Sequence, residues 1–551
     1  MSRAVQETTV ADKGLKGGSL GLLAVIVIGV ASTAPGYSLA AGIGGIAGEA
    51  GLKSPFIMLF AFIPMGCIAA SFYYMNKADP DCGTNFTWGV RAFGPKTGWI
   101  AGWGCIVADL VIMPNLAGIS GQYLVLLFSK KWAENIYLTT FLGVLFIIAM
   151  CWICWKGIEL SARSQVALLG TELAVLTIFA VVAIVKAFNG VSRTTTEDLG
   201  LFGVSKEGLA AGTDSLPAYC KQVADGAQCA YHSAKPSLSW LSPSGLSVHA
   251  VIAGLVLAVF AYWGWDTCVS VNEEAEDSSR TPGMAAVLST FILLAIYLIT
   301  SYGTVALLGP KFVADHSGDA MAAVAEVALP TILVKLLIIA VLTSAAASCQ
   351  TTILPATRTM LSMGSHGAAP AKLAQINRAN LTPDFSTWLF GVVSVVWYLL
   401  LVVVSHNTST NAYSASIAAV GMAIALYYGV SGFSCIWFYR RYLTKSLRNF
   451  VLIGVLPFIG GAILIFVFIK TVWDARLTSY TDPASGIFGV GTVLVIGTLL
   501  LVVGVPLMLV CSKKYPRFFT FRPDPVHTVP DPYSENTLAA PLGTYVKGGK
   551  Y

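Results

Sequence analysis

Along this chain apolar residues come in long blocks, and short polar clusters separate one block from the next. Each block holds about 20 residues or more, the length of helix that spans a hydrocarbon core of roughly 30 Å. The pattern predicts twelve membrane-spanning helices, near residues 18–47, 54–75, 97–128, 135–155, 159–187, 247–272, 282–309, 329–362, 385–405, 411–436, 449–473 and 486–511. The expected fold class is all-α integral membrane.

Two of these spans are interrupted. From Gly17 to Gly48 there is no charged residue, and an unbroken helix of that length would reach about 48 Å at ~1.5 Å per residue, more than the bilayer needs. In its middle stands Ser32-Thr33-Ala34-Pro35-Gly36-Tyr37. Pro35 lacks an amide proton and crowds the preceding turn, and Gly36 accepts almost any backbone angle, so the helix is expected to break there. The sixth span runs into Phe260-Ala261-Tyr262-Trp263-Gly264-Trp265-Asp266-Thr267, where a glycine and an acid interrupt an aromatic helix. Backbone groups freed at membrane depth need protein, water or a ligand as partners. The two interrupted spans are five apart, so two halves of five helices would lie in opposite orientations, with a site between the breaks. The expected organisation is a tail over 1–16, an inverted-repeat core of ten helices over 17–440 that includes a polar loop at 188–246, helices 11 and 12 within 441–511, and a tail over 512–551. Alternating-access transport is the expected function.

Composition narrows this further. The chain of 551 residues is 56% hydrophobic and only 11% charged, less than half the roughly 25% of a soluble globular protein. A large soluble enzyme is excluded, and no HExxH or GxSxG cluster suggests a membrane-bound one. No cofactor is expected. The net charge of +6 is spread over short loops without a basic, aromatic-rich patch, which argues against nucleic acid. With the N-terminus inside, about 22 of the 34 Lys and Arg fall in cytoplasmic segments, as the positive-inside rule asks. Both termini are then cytoplasmic, in a cell (plasma or inner) membrane. The first apolar block is too long for a signal peptide and lacks a cleavage site, so it is expected to stay. Cys220 and Cys229 lie in the polar 188–246 stretch, where a disulfide suits an oxidising face. The other nine cysteines lie in or beside apolar spans, and the Cys151/Cys154 pair is read as core. The six histidines are scattered, and none shares metal-ligand spacing with a second ligand-type residue, so no metal site is expected.

Three motifs carry a resemblance. They are Asn76-Lys77-Ala78-Asp79-Pro80-Asp81-Cys82-Gly83-Thr84 through Ala92-Phe93-Gly94-Pro95 with Gly98-Trp99 and Gly102-Trp103; Phe260–Asp266 with Asn272-Glu273-Glu274 and Arg280-Thr281-Pro282; and Thr357-Arg358-Thr359-Met360 through His366-Gly367-Ala368-Ala369-Pro370 with Thr382-Pro383. Over roughly residues 15–440 the chain resembles the amino acid–polyamine–organocation permeases. It departs from many of them at the first break, where Ser32-Thr33-Ala34-Pro35-Gly36 replaces a glycine-rich stretch. The resemblance implies a LeuT-like core with the substrate lodged between the breaks of helices 1 and 6. Around Ser32, amides freed near Thr33, Ala34, Gly36 and Tyr37 can hold a carboxylate with help from the helix dipole. Carbonyls freed at Phe260, Ala261 and Tyr262 can accept from an ammonium group. Trp263 and Trp265 either close over the ligand or pack the interior.

Three acids fall deep in the spans, where a charge is costly and is expected to face a cavity or a partner. Asp266 stands beside the second break, either bonded to loose amides or touching substrate. Glu172 lies nine residues after Arg163 and fourteen before Lys186, near mid-membrane. The resemblance implies that in proton-coupled relatives the matching helix often presents a titratable lysine near this place, so Glu172 is read first as a static hydrogen-bonded group and second as a proton carrier. Asp109 either faces the cavity and favours a cationic substrate or is a capped structural acid. Hydroxyls of Thr343, Ser344 and Ser348 offer a sodium site, ranked behind the proton. The run Glu273, Glu274, Glu276 and Asp277 beside Arg280 is read first as a solvated face and second as a gate. The partners expected are a small-molecule substrate, H+ and the lipid bilayer. Amino acid import by proton symport ranks first, then amine or polyamine uptake, then exchange; a ligand-binding membrane sensor is the rival outside transport.

Overall fold

Inside a hydrocarbon layer a backbone can pair only with itself, and the long apolar blocks accordingly fold as helices. The computed structural model describes residues 13–190, 192–195, 220–223, 226–316, 320–408, 412–477, 486–487, 490–520, 532–533 and 538–539. Its main helices are α1 (Leu22–Thr33), α2 (Pro35–Ala50), α3 (Ser54–Ala78), α4 (Asn85–Phe93), α5 (Pro95–Leu126), α6 (Ile136–Lys156), α7 (Ile158–Asn189), α8 (Val248–Ala261), α9 (Thr267–Ser270), α10 (Thr281–Leu308), α11 (Pro310–Asp315), α12 (Ala320–Ala328), α13 (Thr331–Ser365), α14 (Asp384–Thr408), α15 (Ala412–Phe438), α16 (Leu456–Asp474) and α17 (Thr492–Lys514). Among the described residues, ten segments are long and apolar enough to cross a membrane, and the first of them, Leu22–Ala78, contains α1, α2 and α3. The shorter apolar helix α8 stands apart from these ten.

The first span breaks where Pro35 and Gly36 require it. α1 ends at Thr33, Ala34 takes the left-handed conformation (φ 48°, ψ 64°), and Pro35 opens α2. Proline is well placed in a first turn, where its missing amide costs no helical bond. The sixth span divides into α8 and α9 across Tyr262–Asp266, with Gly264 at φ +117°. α1 packs against α7, α9, α10 and α13, so the first break lies inside the bundle. Around it α5 is largely covered, whereas α6, α14 and α17 turn most of their surface outward.

Several details depart from the sequence pattern. α17 begins at Thr492 and not near 486. Residues 486–491 contain three glycines, poor helix formers, and instead form the two-residue strands β4 (Gly486–Ile487) and β5 (Val490–Gly491). A π-helical turn, Phe450–Val455, precedes α16. The helices α4, α11 and α12 were hidden in connections that carry no membrane-length block. In the 188–246 stretch, β1 (Ser192–Thr195), β2 (Cys220–Val223) and β3 (Gly226–His232) form an antiparallel sheet in the order β1-β3-β2. The register sets Cys220 opposite Cys229. Cys220 is disulfide-bonded, while the side chain of Cys229 lies outside the described residues.

The two breaks touch. A Cβ on Gly264 would stand 2.6 Å from the Ser32 carbonyl oxygen, and the Ser32 and Thr267 hydroxyls share a 2.8 Å hydrogen bond. Gly264→Ala would therefore combine a disfavoured φ with a backbone clash, a cost of ~2 kcal/mol or more. The expected outcome is a thermal unfolding midpoint several degrees lower in detergent, read by tryptophan fluorescence; an unchanged midpoint would contradict the contact.

Candidate functional site

At the first break each freed group has found a partner. The Gly36 amide donates to Glu172 Oε1 on α7 at 2.7 Å, and the Tyr37 amide to Ser344 Oγ on α13 at 3.1 Å. Ala34 N–H returns to Ala31 O at 3.1 Å. On the carbonyl side, Ser348 Oγ donates to Ser32 O at 2.9 Å and Ser38 Oγ to Thr33 O at 2.8 Å. A carboxylate at the start of α2 is where an N-terminal helix end favours negative charge. Glu172 is fully buried, and its second oxygen, Oε2, has no hydrogen-bond partner, nor has the buried Tyr37 hydroxyl.

Around the second break the Ala261 carbonyl accepts from the Tyr297 hydroxyl of α10, and Phe260 O from Trp263 N–H at 3.1 Å. Tyr262 donates its hydroxyl to Met58 O at 3.2 Å and meets Tyr297 edge-on at 4.8 Å. Asp266 accepts from two tyrosines of α15, Tyr428 at 2.8 Å and Tyr427 at 3.1 Å. Trp263 Nε1 donates to Tyr427 at 2.5 Å, which joins it to the same group. Asp109 of α5 belongs there as well, since its charge and that of Asp266 act on one another, with Cys105 Sγ 3.9 Å from its Oδ2. Trp265 turns away into an aromatic core of Phe72 and Tyr428, at 5.1 and 5.3 Å, and is fully buried.

The sequence-derived residues thus fall into two groups. Ser32, Thr33, Ala34, Gly36, Tyr37, Glu172, Ser344 and Ser348 gather at the first break; Asp109, Phe260, Ala261, Tyr262, Trp263 and Asp266 line the second. Thr343 stands outside both, its hydroxyl spent on Ile339 O and Ala340 O of its own helix. The hydroxyls of Ser344 and Ser348 are directed at the backbone of the first break. Among the described residues no Lys, Arg or His lies within 4.0 Å of Asp109, Glu172 or Asp266. Sequence reasoning missed Tyr297, Tyr427 and Tyr428. The signal was there, because a phenol buried in an apolar span needs a partner.

The acidic run after α9 is a correction. Read first as a solvated face, it is in fact half buried, with Glu274 inaccessible. Glu274 pairs with the buried guanidinium of Arg358, Nη2 to Oε1 at 2.9 Å and Nε to Oε2 at 3.2 Å. Glu273 pairs with Lys13, which also reaches Asp81 at 2.8 Å. Asp81 further accepts from Ser362 at 2.6 Å and lies 2.8 Å from His366 Nε2. Ligand-type atoms of Asp81, Cys82 and Glu273 fall within 4.8 Å of one another, but the cation among them is the Lys13 ammonium. Burial opposes the charge on Lys13, yet Asp81, Cys82 and Glu273 outweigh it and hold the ammonium well above the usual lysine range. Burial likewise opposes the Asp81 charge, and Lys13 and His366 overcome it, holding the carboxyl well below the usual range. Glu273 is pushed up by burial despite Lys13. By linkage, the Asp81 contribution is present above the ordinary aspartate range and is lost as pH falls through its lowered value. The Lys13 contribution is present below the ordinary lysine range and is lost as pH climbs through its raised value. The pair therefore holds throughout the neutral range.

Compared with known proteins, residues 20–496 match the family model described as amino acid permease. Uncharacterized transporters of Mycobacterium tuberculosis and Mycobacterium bovis are each 24% identical over 374 residues, covering 68% of this chain and 72% of theirs. Among solved structures, an Eremococcus coleocola manganese transporter in complex with an aromatic bis-isothiourea substituted compound is similar at a TM-score of 0.53 and 13% identity, over 92% of this chain and 99% of that one. MhsT in complex with L-phenylalanine is similar at a TM-score of 0.50 and 18% identity, over 82% and 98%. At these identities the likeness shows the fold, which is LeuT-like.

Removing the Lys13 ammonium would leave two buried carboxylates unbalanced, at a cost of ~3–5 kcal/mol. In Lys13→Ala the now-buried Cys82 is expected to react with a maleimide at least ~10-fold faster, followed by peptide mass spectrometry. An unchanged rate would contradict the pairing.

Proposed function

The chain belongs to the amino acid permease family and is a multi-pass membrane transporter, not an enzyme, and from that premise we propose that it moves an amino acid or related amine across the cell membrane by alternating access in symport with protons. The observation that carries this reading is the Glu172 carboxylate. It is buried at the first break, bonded to the Gly36 amide, without a basic partner among the described residues and with one oxygen unpaired. A carboxylate so placed can take a proton on one side of the membrane and yield it on the other as the break exchanges partners.

Further features support the same reading. Counting Leu22–Ala78 as two passes and α8 with α9 as one makes twelve, with the broken passes first and sixth, as an inverted repeat of five requires. Both termini are then cytoplasmic, the Lys13 cluster is the inner end, and Cys220 pairs with Cys229 outside. Substrate would lie between the breaks, its ammonium toward Asp266, Asp109 and the carbonyls near Phe260, Ala261 and Tyr262. A second reading, uptake of an amine or polyamine, is favoured by the Asp109 and Asp266 pair, which suits a second positive charge. Proton coupling stands ahead of sodium because the Ser344 and Ser348 hydroxyls serve the backbone.

In proteoliposomes, an inward proton gradient is expected to drive accumulation of the substrate found by thermal-shift screening. Glu172→Gln is expected to abolish gradient-driven uptake while sparing binding. Unchanged gradient dependence would remove Glu172 from the mechanism, and binding without any flux would make the protein a sensor.

A further inference from the structure

The first break contains a carboxylate site that the protein fills itself. α2 is sixteen residues long, and its opening turn offers a proline with no amide, then two amides. One of these is satisfied by a hydroxyl, Ser344, and the other by a carboxylate, Glu172. A helix N-terminus favours a carboxylate whatever molecule carries it. Glu172 does not fit as a purely structural cap, because Oε2 is left without a partner in a fully buried position. The groups that face it are the Gly36 amide and Ser344 at the break and the Tyr297 phenol from α10. No basic side chain offers it an ion pair among the described residues. A Cβ on Gly36 would sit 3.4 Å from both Glu172 Oε1 and the Ser344 Cβ, in van der Waals contact with both groups that meet the α2 amides.

Resting on the proton-symport reading above, we infer that Glu172 is a resident competitor for the substrate's carboxylate at the Gly36 amide. A carboxylate-bearing substrate takes that amide only when Glu172 has accepted a proton, and an amine that lacks the carboxylate binds without one. The reason is electrostatic. Two carboxylates at one buried N–H cannot both stay charged, so one of them must be neutral. A protonated Glu172 is a poor acceptor for a helix N-terminus and can rotate off as a hydroxyl donor. The proton comes from solution onto a Glu172 oxygen and the substrate carboxylate replaces that oxygen on Gly36 N–H. When the substrate leaves on the other side, Glu172 releases its proton there and returns to the amide. Coupling then resides in binding itself, since the charged, empty protein has its carboxylate site closed.

The test uses full-length protein in lipid nanodiscs and the standard amino acids, each paired with the amine that its decarboxylation gives. Calorimetry in two buffers of different ionisation enthalpy counts the protons taken up per ligand bound. The expected result is uptake of about one proton for the amino acid of a binding pair and none for its amine, with amino acid affinity falling about tenfold per pH unit once Glu172 is charged. In Glu172→Gln amino acid binding should no longer depend on pH; the wild-type comparison within each pair stands by itself if that variant does not fold. Amino acid binding without proton uptake, or equal uptake for both members of a pair, overturns the inference. Proton-driven flux combined with proton-free binding overturns the inference alone, whereas failure of every pair to bind or be transported overturns the function on which it rests.

Discussion

The amide of Gly36 has to find an acceptor, because Pro35 and the left-handed Ala34 have ended the helix that would have supplied one. It lies where water is scarce, and a buried donor left unpaired costs ~1–3 kcal/mol against a net gain of ~1 kcal/mol when paired. The same constraint recurs at every freed group nearby. Tyr37 N–H turns to Ser344, Ser32 O takes the hydroxyl of Ser348, and Ala261 O takes that of Tyr297. Helices α7 and α13 are thus tied to the first break by side chains and not by chain connections, and α10, which follows α9 in the chain, is tied to the second by Tyr297 as well. A rearrangement of either break would have to exchange these partners together.

Charge is handled in opposite ways at the middle and at one end of the bundle. In the middle, Asp109, Glu172 and Asp266 are met by hydroxyls, a thiol and an amide. At the Lys13 end, Asp81, Glu273 and Glu274 are met by Lys13, His366 and Arg358. The chain before α1 and the chain after α9 run side by side there, joined by Leu20 and Ala275 and by amides of Ser19 and Leu20 on Glu274 O. The same two broken helices therefore meet again at this end. The middle is acidic and poor in bases, whereas this end is ion-paired.

Much of this was legible in the sequence, for physical reasons that can be named. Blocks of apolar residues set the spans because length against bilayer thickness is a strong signal. Pro35 and Gly264 marked the breaks because one lacks a donor and the other adopts an angle other residues avoid. Partners were harder. That Glu172 would meet Gly36, or that Glu274 would bury itself against Arg358, depends on which faces of distant helices come together, and spacing along one helix says nothing of that. Tyr427 and Tyr428 went unnoticed because only packing sets both hydroxyls on Asp266. The start of α17 slipped because its glycines weaken a helix that hydropathy alone would extend.

The proposed coupling comes down to one exchange at one atom, the replacement of Glu172 at the Gly36 amide. A cryo-electron microscopy structure of the protein with an amino acid bound, at a resolution that separates carboxylate from water, addresses it directly. The expected result is a substrate carboxylate within hydrogen-bond distance of Gly36 N–H and Glu172 displaced from it. Glu172 still bonded to Gly36 beside a bound amino acid would contradict it.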